Sequence, residues 1–182
     1  MKFSVLILMG ILTIACSEVR FESPQPKNVK EISEFPQEFI GTFFDHENKD
    51  TLFISKNGFR YGEDIKQLTD DRVVLKKNGG YYILSCKEIL TGEDTTDLKG
   101  WDVLPFKMVD DTLTVFFIDI SENSDTMKAK FETILSKGVK EEIEERENED
   151  FEYFLINPTR REFKAMLRDG IFNRHIKFTK IN

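Results

Sequence analysis

Three hydrophobic rhythms follow one another along the chain. From Phe3 to Ala15 the positions are almost unbroken apolar, interrupted only by Ser4, Gly10 and Thr13. Between residues 41 and 134, short runs alternate apolar with polar and are punctuated by turn residues, the pattern of half-buried antiparallel strands. After residue 153 the rhythm turns helical and then reverts to alternation.

Two hairpins stand out in the middle part. In "TLFISKNGFRY" the pair Asn57 and Gly58 predicts a type I′ turn joining strands over 51–56 and 59–61, because both positions of that turn need positive φ. In "RVVLKKNGGYYILSC" residues Asn78, Gly79 and Gly80 play the same part between β-branched and aromatic flanks. Further strands are expected over 41–44, 101–108, 111–120 and 128–134. In "DTLTVFFIDI" Leu113, Val115 and Phe117 fall on one face and Phe116, Ile118 and Ile120 on the other, so this strand should be covered on both sides.

At the C-terminal end, "YFLINPTRREFKAMLRDGIF" reads as strand then helix. Asn157 suits the cap, Pro158 the first helical position and Gly170 the left-handed stop. Phe163, Met166 and Leu167 share a face, while Arg160, Arg161, Lys164 and Arg168 point elsewhere. Ile176 and Phe178 then alternate with Lys177 and Thr179 in a closing strand. The fold class expected is mainly β, a β-rich α+β domain: an antiparallel β-barrel or strongly bent sheet with one C-terminal helix packed on it. No internal repeat is visible.

Length and composition allow one domain with a real core: 182 residues, 40% hydrophobic, 17 of them Phe. Residues 1–15, with a single cation at Lys2 and a small residue at the end, read as a signal peptide; a membrane span needs ~20 apolar residues. Residues 16–30, which hold Pro24, Pro26 and mixed charge, are expected to be a flexible tether, and residues 31–182 the folded domain. The formal charge of −7 argues against nucleic acid as a partner, since phosphate backbones are held by clustered Lys and Arg.

Candidate chemistry is sparse. His46 and His175 lie in no metal-ligand spacing, and "DHENKD" at 45–50 lacks the central Gly and final Glu of a calcium loop, so a turn is expected there. No triad order, nucleophile elbow, P-loop or dinucleotide fingerprint is present, and neither enzymatic activity nor a cofactor is expected. Cys86, in "YYILSCKEI", reads as a small buried hydrophobe. The acidic run 139–152, with Glu141, Glu142, Glu144, Glu145, Glu147, Glu149 and Asp150, is expected to be a solvated helix or loop and is the candidate partner surface.

The residues Leu12, Thr13, Ile14, Ala15 and Cys16 resemble the lipobox of bacterial lipoproteins, and the chain as a whole is similar to Bacteroidota-type envelope lipoproteins. The resemblance implies cleavage before Cys16 and acylation, palmitate-type, on its thiol and amino group, which would hold the chain to a membrane. Ser17 in place of Asp after the cysteine implies the outer membrane, with the face open. If Cys16 is lipidated, Cys86 is left with no intramolecular disulfide partner. Separately, "FPQEFIGTFF" resembles the opening strand of lipocalins, with Gly41 and Phe43 at the Gly and Trp places, which implies a lipocalin-like barrel.

Two functions remain open on these grounds. The barrel interior, or a groove beside the helix at 158–168, would bind an apolar or amphiphilic small molecule. Alternatively the interior is filled, and the domain is a structural or interaction lipoprotein that engages another envelope protein.

Overall fold

A computed structural model describes residues 19–87, 99–120, 124–144 and 151–181, with backbone alone for 124, 125, 141–144, 151 and 152. A nine-stranded antiparallel sheet curls into a nearly closed barrel, and a three-stranded sheet with two helices covers part of its outer face.

The barrel is made of β2 (Gly41–Asp45), β3 (Asp50–Ile54), β4 (Gly58–Tyr61), β5 (Asp64–Gln67), β6 (Val73–Asn78), β7 (Tyr81–Cys86), β8 (Asp102–Val109), β9 (Thr112–Phe117) and β12 (Arg174–Lys180). Their spatial order is β5-β4-β3-β2-β12-β9-β8-β7-β6. The expected strands over 41–44, 101–108 and 111–120 are thus present with shifted ends, and the mainly β fold with its packed C-terminal helix is the one observed. The segment 31–35 links the edge strand β6 to the β3–β4 turn: Ile32 N–H donates to Leu75 O of β6 at 2.8 Å, and Phe35 N–H donates to Lys56 O beyond β3 at 2.7 Å.

The hairpin at 57–58 forms, with another role for its glycine. Gly58 has no positive φ; it opens β4, where an added Cβ would lie 2.3 Å from Lys66 O on β5. It is needed for close backbone approach. The 79–80 turn does use a left-handed glycine, Gly79 at φ +63°.

Inner-face positions fill the barrel with Phe39, Phe43, Leu52, Leu75, Leu113 and Phe178. Tyr81, Ile83, Val103 and Phe116 face outward from β7, β8 and β9 into a second core. That core is closed by the sheet β1 (Val19–Phe21), β11 (Phe151–Ile156), β10 (Val139–Glu144), in that order, and by α1 (Ser124–Ile134) and α2 (Arg160–Arg168). This explains why the end of the β9 segment is apolar on both faces.

Four expectations are corrected here. The strand over 128–134 is instead the greater part of α1, which buries Met127 and Phe131, with buried Leu135 directly after it continuing the spacing of four. Helix α2 starts later than Pro158: Thr159 caps it, accepting from Glu162 N–H while Glu162 Oε2 accepts from Thr159 N–H at 2.6 Å. The start of the acidic run is neither helix nor loop but β10, antiparallel to β11 from Val139↔Ile156 to Glu144↔Phe151.

The fourth concerns the tether. Residues 19–26 are part of the folded domain: β1 pairs in parallel with β11, from Val19↔Phe154 to Phe21↔Ile156. Val19, Arg20 and Phe21 are at most 4% exposed. Arg20 can be buried because its guanidinium donates to Lys99 O, Gly100 O and the Asp102 carboxylate at 3.1 to 3.4 Å. Phe21 and Trp101 exchange backbone hydrogen bonds at 2.9 and 2.7 Å. Gly100 must be glycine for that approach, with φ +95° and only 2.8 Å between an added Cβ and Phe21 O. Further on, Gln25 is fully buried, its N–H donating to Ser85 Oγ, and Lys76 donates to Pro24 O and Pro26 O, both at 3.3 Å.

Candidate functional site

The inner faces of the barrel strands leave an apolar cavity of about 110 Å³. Its wall is Leu52 and Ile54 of β3, Phe59 of β4, Leu84 of β7, Leu104 and Phe106 of β8, Leu113 and Val115 of β9, and Ile176 and Phe178 of β12. Alternation of side chains along each strand puts these residues inside. Tyr61 and Asp64 complete the lining, Asp64 being its one carboxylate.

Phe35 lies over this space, brought there by the 31–35 segment; its ring centroid is 6.5 Å from that of Phe59 and 6.3 Å from that of Phe106. Phe39, from the 3-10 turn Gln37–Phe39, fills the neighbouring volume against Tyr82 and Phe106 at 4.9 and 5.1 Å. The pair Glu34 and Lys56, 2.9 Å apart and exposed, ties the same segment to the β3–β4 turn.

Beside the cavity, a polar cluster holds the β2–β3 hairpin. Asp45 is fully buried and accepts from the N–H of Glu47 and Asn48, from the Asn48 amide and from the Tyr61 hydroxyl at 2.8 to 3.2 Å. Burial by itself would raise its pKa; the hydrogen bonds from Asn48, Glu47 and Tyr61 outweigh that and hold it below the usual 3.8. The Tyr61 hydroxyl is pushed up to about 12 by burial and then by its bond to Asp45. The 45–50 segment is therefore a turn built on an aspartate, as its composition predicts.

A second concavity lies between the end of α1 and α2, about 970 Å³ and shallow, lined by Thr133, Ser136, Arg161, Glu162, Lys164 and Arg168 among others. Its charges are mixed. Arg168 pairs with Asp169 at 2.6 Å, and Glu162, held at a pKa of about 2 by hydrogen bonds from Ser136 and Thr159 against the opposing effect of burial, is committed to the helix cap. The concavity beside the helix, which also takes in Ile134 and Ala165, is thus mixed in character, whereas the space in the barrel is almost wholly apolar.

The residues singled out from sequence do not converge on either place. His46 is exposed with its ring 4.9 Å from Phe44, and His175 is exposed with its ring 6.0 Å from Phe116. Cys86 is a free, fully buried thiol whose pKa is raised, chiefly by burial. Among the described residues no group of three His, Cys, Asp or Glu side chains is placed to hold a metal ion. Glu141, Glu142 and Glu144 have their backbone in β10, with side chains outside the described set. Cys16, Glu145, Glu147, Glu149 and Asp150 lie outside the described residues altogether. Missed from sequence were Phe35, Tyr61 and Asp64; the apolar pair Ile32 and Phe35 after the proline segment was the available signal for a strand-crossing piece.

Comparison with protein-family models, with curated proteins and with solved structures finds no match to this chain.

Proposed function

We propose that this chain is a lipid-anchored, outer-membrane envelope protein whose barrel binds the apolar part of a small amphiphile without transforming it. The cavity inside the sheet carries this reading. Its lining is apolar apart from Tyr61 and Asp64, and barrel mouths are common binding sites.

Size limits the ligand. At about 110 Å³ the cavity is below the ~300 Å³ where drug-sized pockets begin, and nearer the ~150 Å³ engineered cavity that stays dry and takes benzene. A short alkyl or single aromatic group fits; a whole lipid does not. A six-carbon alcohol is therefore expected to raise the melting temperature in proportion to its occupancy, because a ligand that binds only the folded state stabilises it by mass action. Val115→Phe, which fills the space from β9, should abolish that shift while leaving the protein folded. Identical shifts in both proteins would rule out the cavity as the site.

Fully buried Phe39 and Phe43, which take up much of the interior, favour a second reading: a structural or interaction lipoprotein that engages another envelope protein. A wild-type protein that shows no shift with any short apolar probe would favour it.

The anchor has its own test. Cys16→Ser is expected to move the protein from the membrane fraction to the soluble fraction and to lose the acyl mass. A variant that stayed in the membrane would overturn the anchor.

A further inference from the structure

Two Asn-Gly pairs occur in the chain, at 57–58 and 78–79, and the fold treats them differently. We propose that Asn57 is a site of spontaneous covalent modification, converting to isoaspartate, and that this conversion releases the segment 31–35 from the β3–β4 turn. Neither step depends on the cavity or the lipid anchor.

The chemistry needs only water. The backbone nitrogen of Gly58, on losing its proton, attacks Cγ of Asn57; a C–N bond forms, the bond from Cγ to the side-chain amide nitrogen breaks, and ammonia leaves. Water then opens the cyclic imide at one of its two carbonyls. One opening gives aspartate and the other isoaspartate, in which the main chain runs through Cβ; either way an amide has been exchanged for a carboxylate. Ring closure is an intramolecular attack, so its rate depends on whether the side chain can reach the nitrogen. Glycine in the following position permits this, because no Cβ stands beside the attacking atom.

At Asn57 the reacting groups are free to meet. The residue is exposed, and among the described residues its side-chain amide makes no hydrogen bond. Gly58 O accepts from Ser55 N–H at 2.9 Å and from the Ser55 hydroxyl at 3.1 Å, but the return bond from Gly58 N–H to Ser55 O that would close a tight turn is not formed. The nitrogen that must attack is thus not tied into the turn. Asn78 is the opposite case: it is 5% exposed, lies in β6 opposite Tyr81, and its Oδ1 is buried. Its side chain can swing onto the Gly79 nitrogen only when the end of that hairpin opens.

Position gives the modification its effect. Lys56 O accepts from Phe35 N–H and Asn57 O from Leu68 N–H, both at 2.7 Å, and Lys56 pairs with Glu34 at 2.9 Å. Isoaspartate adds a methylene to the main chain before Gly58 and turns the former Asn57 carbonyl into a side carboxylate. Gly58 has no space to absorb the added length, since a Cβ there would lie 2.3 Å from Lys66 O. The displacement therefore falls on residues 55–57, and the bonds to Phe35 and Leu68 are the ones lost.

The test ages the full-length folded protein at mildly alkaline pH in heavy-oxygen water and maps its peptides by mass. The Asn57 peptide is expected to exchange its amide for an acid carrying one heavy oxygen at least about tenfold faster than the Asn78 peptide, because tenfold corresponds to only ~1.4 kcal/mol of opening cost. In urea-unfolded protein the two should convert at similar rates, since both stand in Lys-Asn-Gly. Asn57→Gln, which would have to close a larger ring, should stay unchanged at that position. Asn78 converting as fast as Asn57 in the folded protein, or Asn57 unchanged while the unfolded chain converts, overturns the site. In the aged protein the Phe35 and Leu68 amides should exchange hydrogen several-fold faster than in Asn57→Gln aged alongside it. Equal exchange in the two overturns the release of the segment.

Discussion

Phe21→Ala is expected to lower the unfolding free energy by ~3–5 kcal/mol, the range for truncating a large buried aromatic side chain. Phe21 is 1% exposed, and its ring meets Phe163 edge-on at 6.2 Å and stacks with Phe172 at 6.4 Å, while those two rings are 5.8 Å apart. One residue of a three-residue strand thus joins α2, the segment after it and, through Trp101, the barrel. Loss of the ring leaves a void among aromatic neighbours that α2, pinned by its capping box, cannot move in to fill. Urea unfolding followed by the single Trp101, which is bonded to Phe21 itself, would report the change. A loss under ~1 kcal/mol would mean that residues 19–26 are dispensable, as a tether would be.

The second large effect is expected at Asp45. Asp45→Ala removes the acceptor for two backbone N–H groups, an amide and the Tyr61 hydroxyl, and a loss of ~2–3 kcal/mol follows from leaving such donors unpaired. The carboxylate also ties stability to pH. Its folded pKa lies below the unfolded 3.8, so the ionised form is favoured by folding; that contribution is complete above the unfolded value and is lost as pH falls through the folded one. Glu162 acts in the same direction, from 4.5 unfolded to about 2 folded. Stability should therefore fall as pH drops below about 4.5. Asp45→Asn should make that fall shallower, with the part due to Glu162 remaining. An unchanged acid limb in Asp45→Asn would place the coupling elsewhere.

Legibility followed the range of the forces involved. Hairpins β3–β4 and β6–β7 could be read because alternation and a turn glycine are local signals, although at Gly58 the glycine answers a contact with β5. The helix α2 was legible from Phe163, Met166 and its cap chemistry within one residue or two. Helix α1 was not, although Met127, Phe131 and Leu135 have helical spacing, because its polar remainder and Ile134 also suit a strand.

The strand β1 could not have been read from "SEVRFESPQP". A three-residue strand with an arginine in the middle has no periodic signal, and Arg20 is tolerable inside only where Asp102 and the carbonyls of Lys99 and Gly100 receive it. The cavity was equally hidden: an interior rich in Phe predicts a barrel, but the 110 Å³ left over depends on where Phe35 and Phe39 are carried by the chain that links β6 to the β3–β4 turn and runs on into β2. By itself, then, the amino-acid sequence determined the β-rich class, the strands with clean alternation, the C-terminal helix and the buried state of Cys86. Tertiary structure alone decided where the domain starts, what its N-terminal residues do and how much space the barrel keeps. The reason is that alternation and capping act between neighbours in the chain, whereas the burial of Arg20 and the volume of a cavity are set by groups some 80 residues apart.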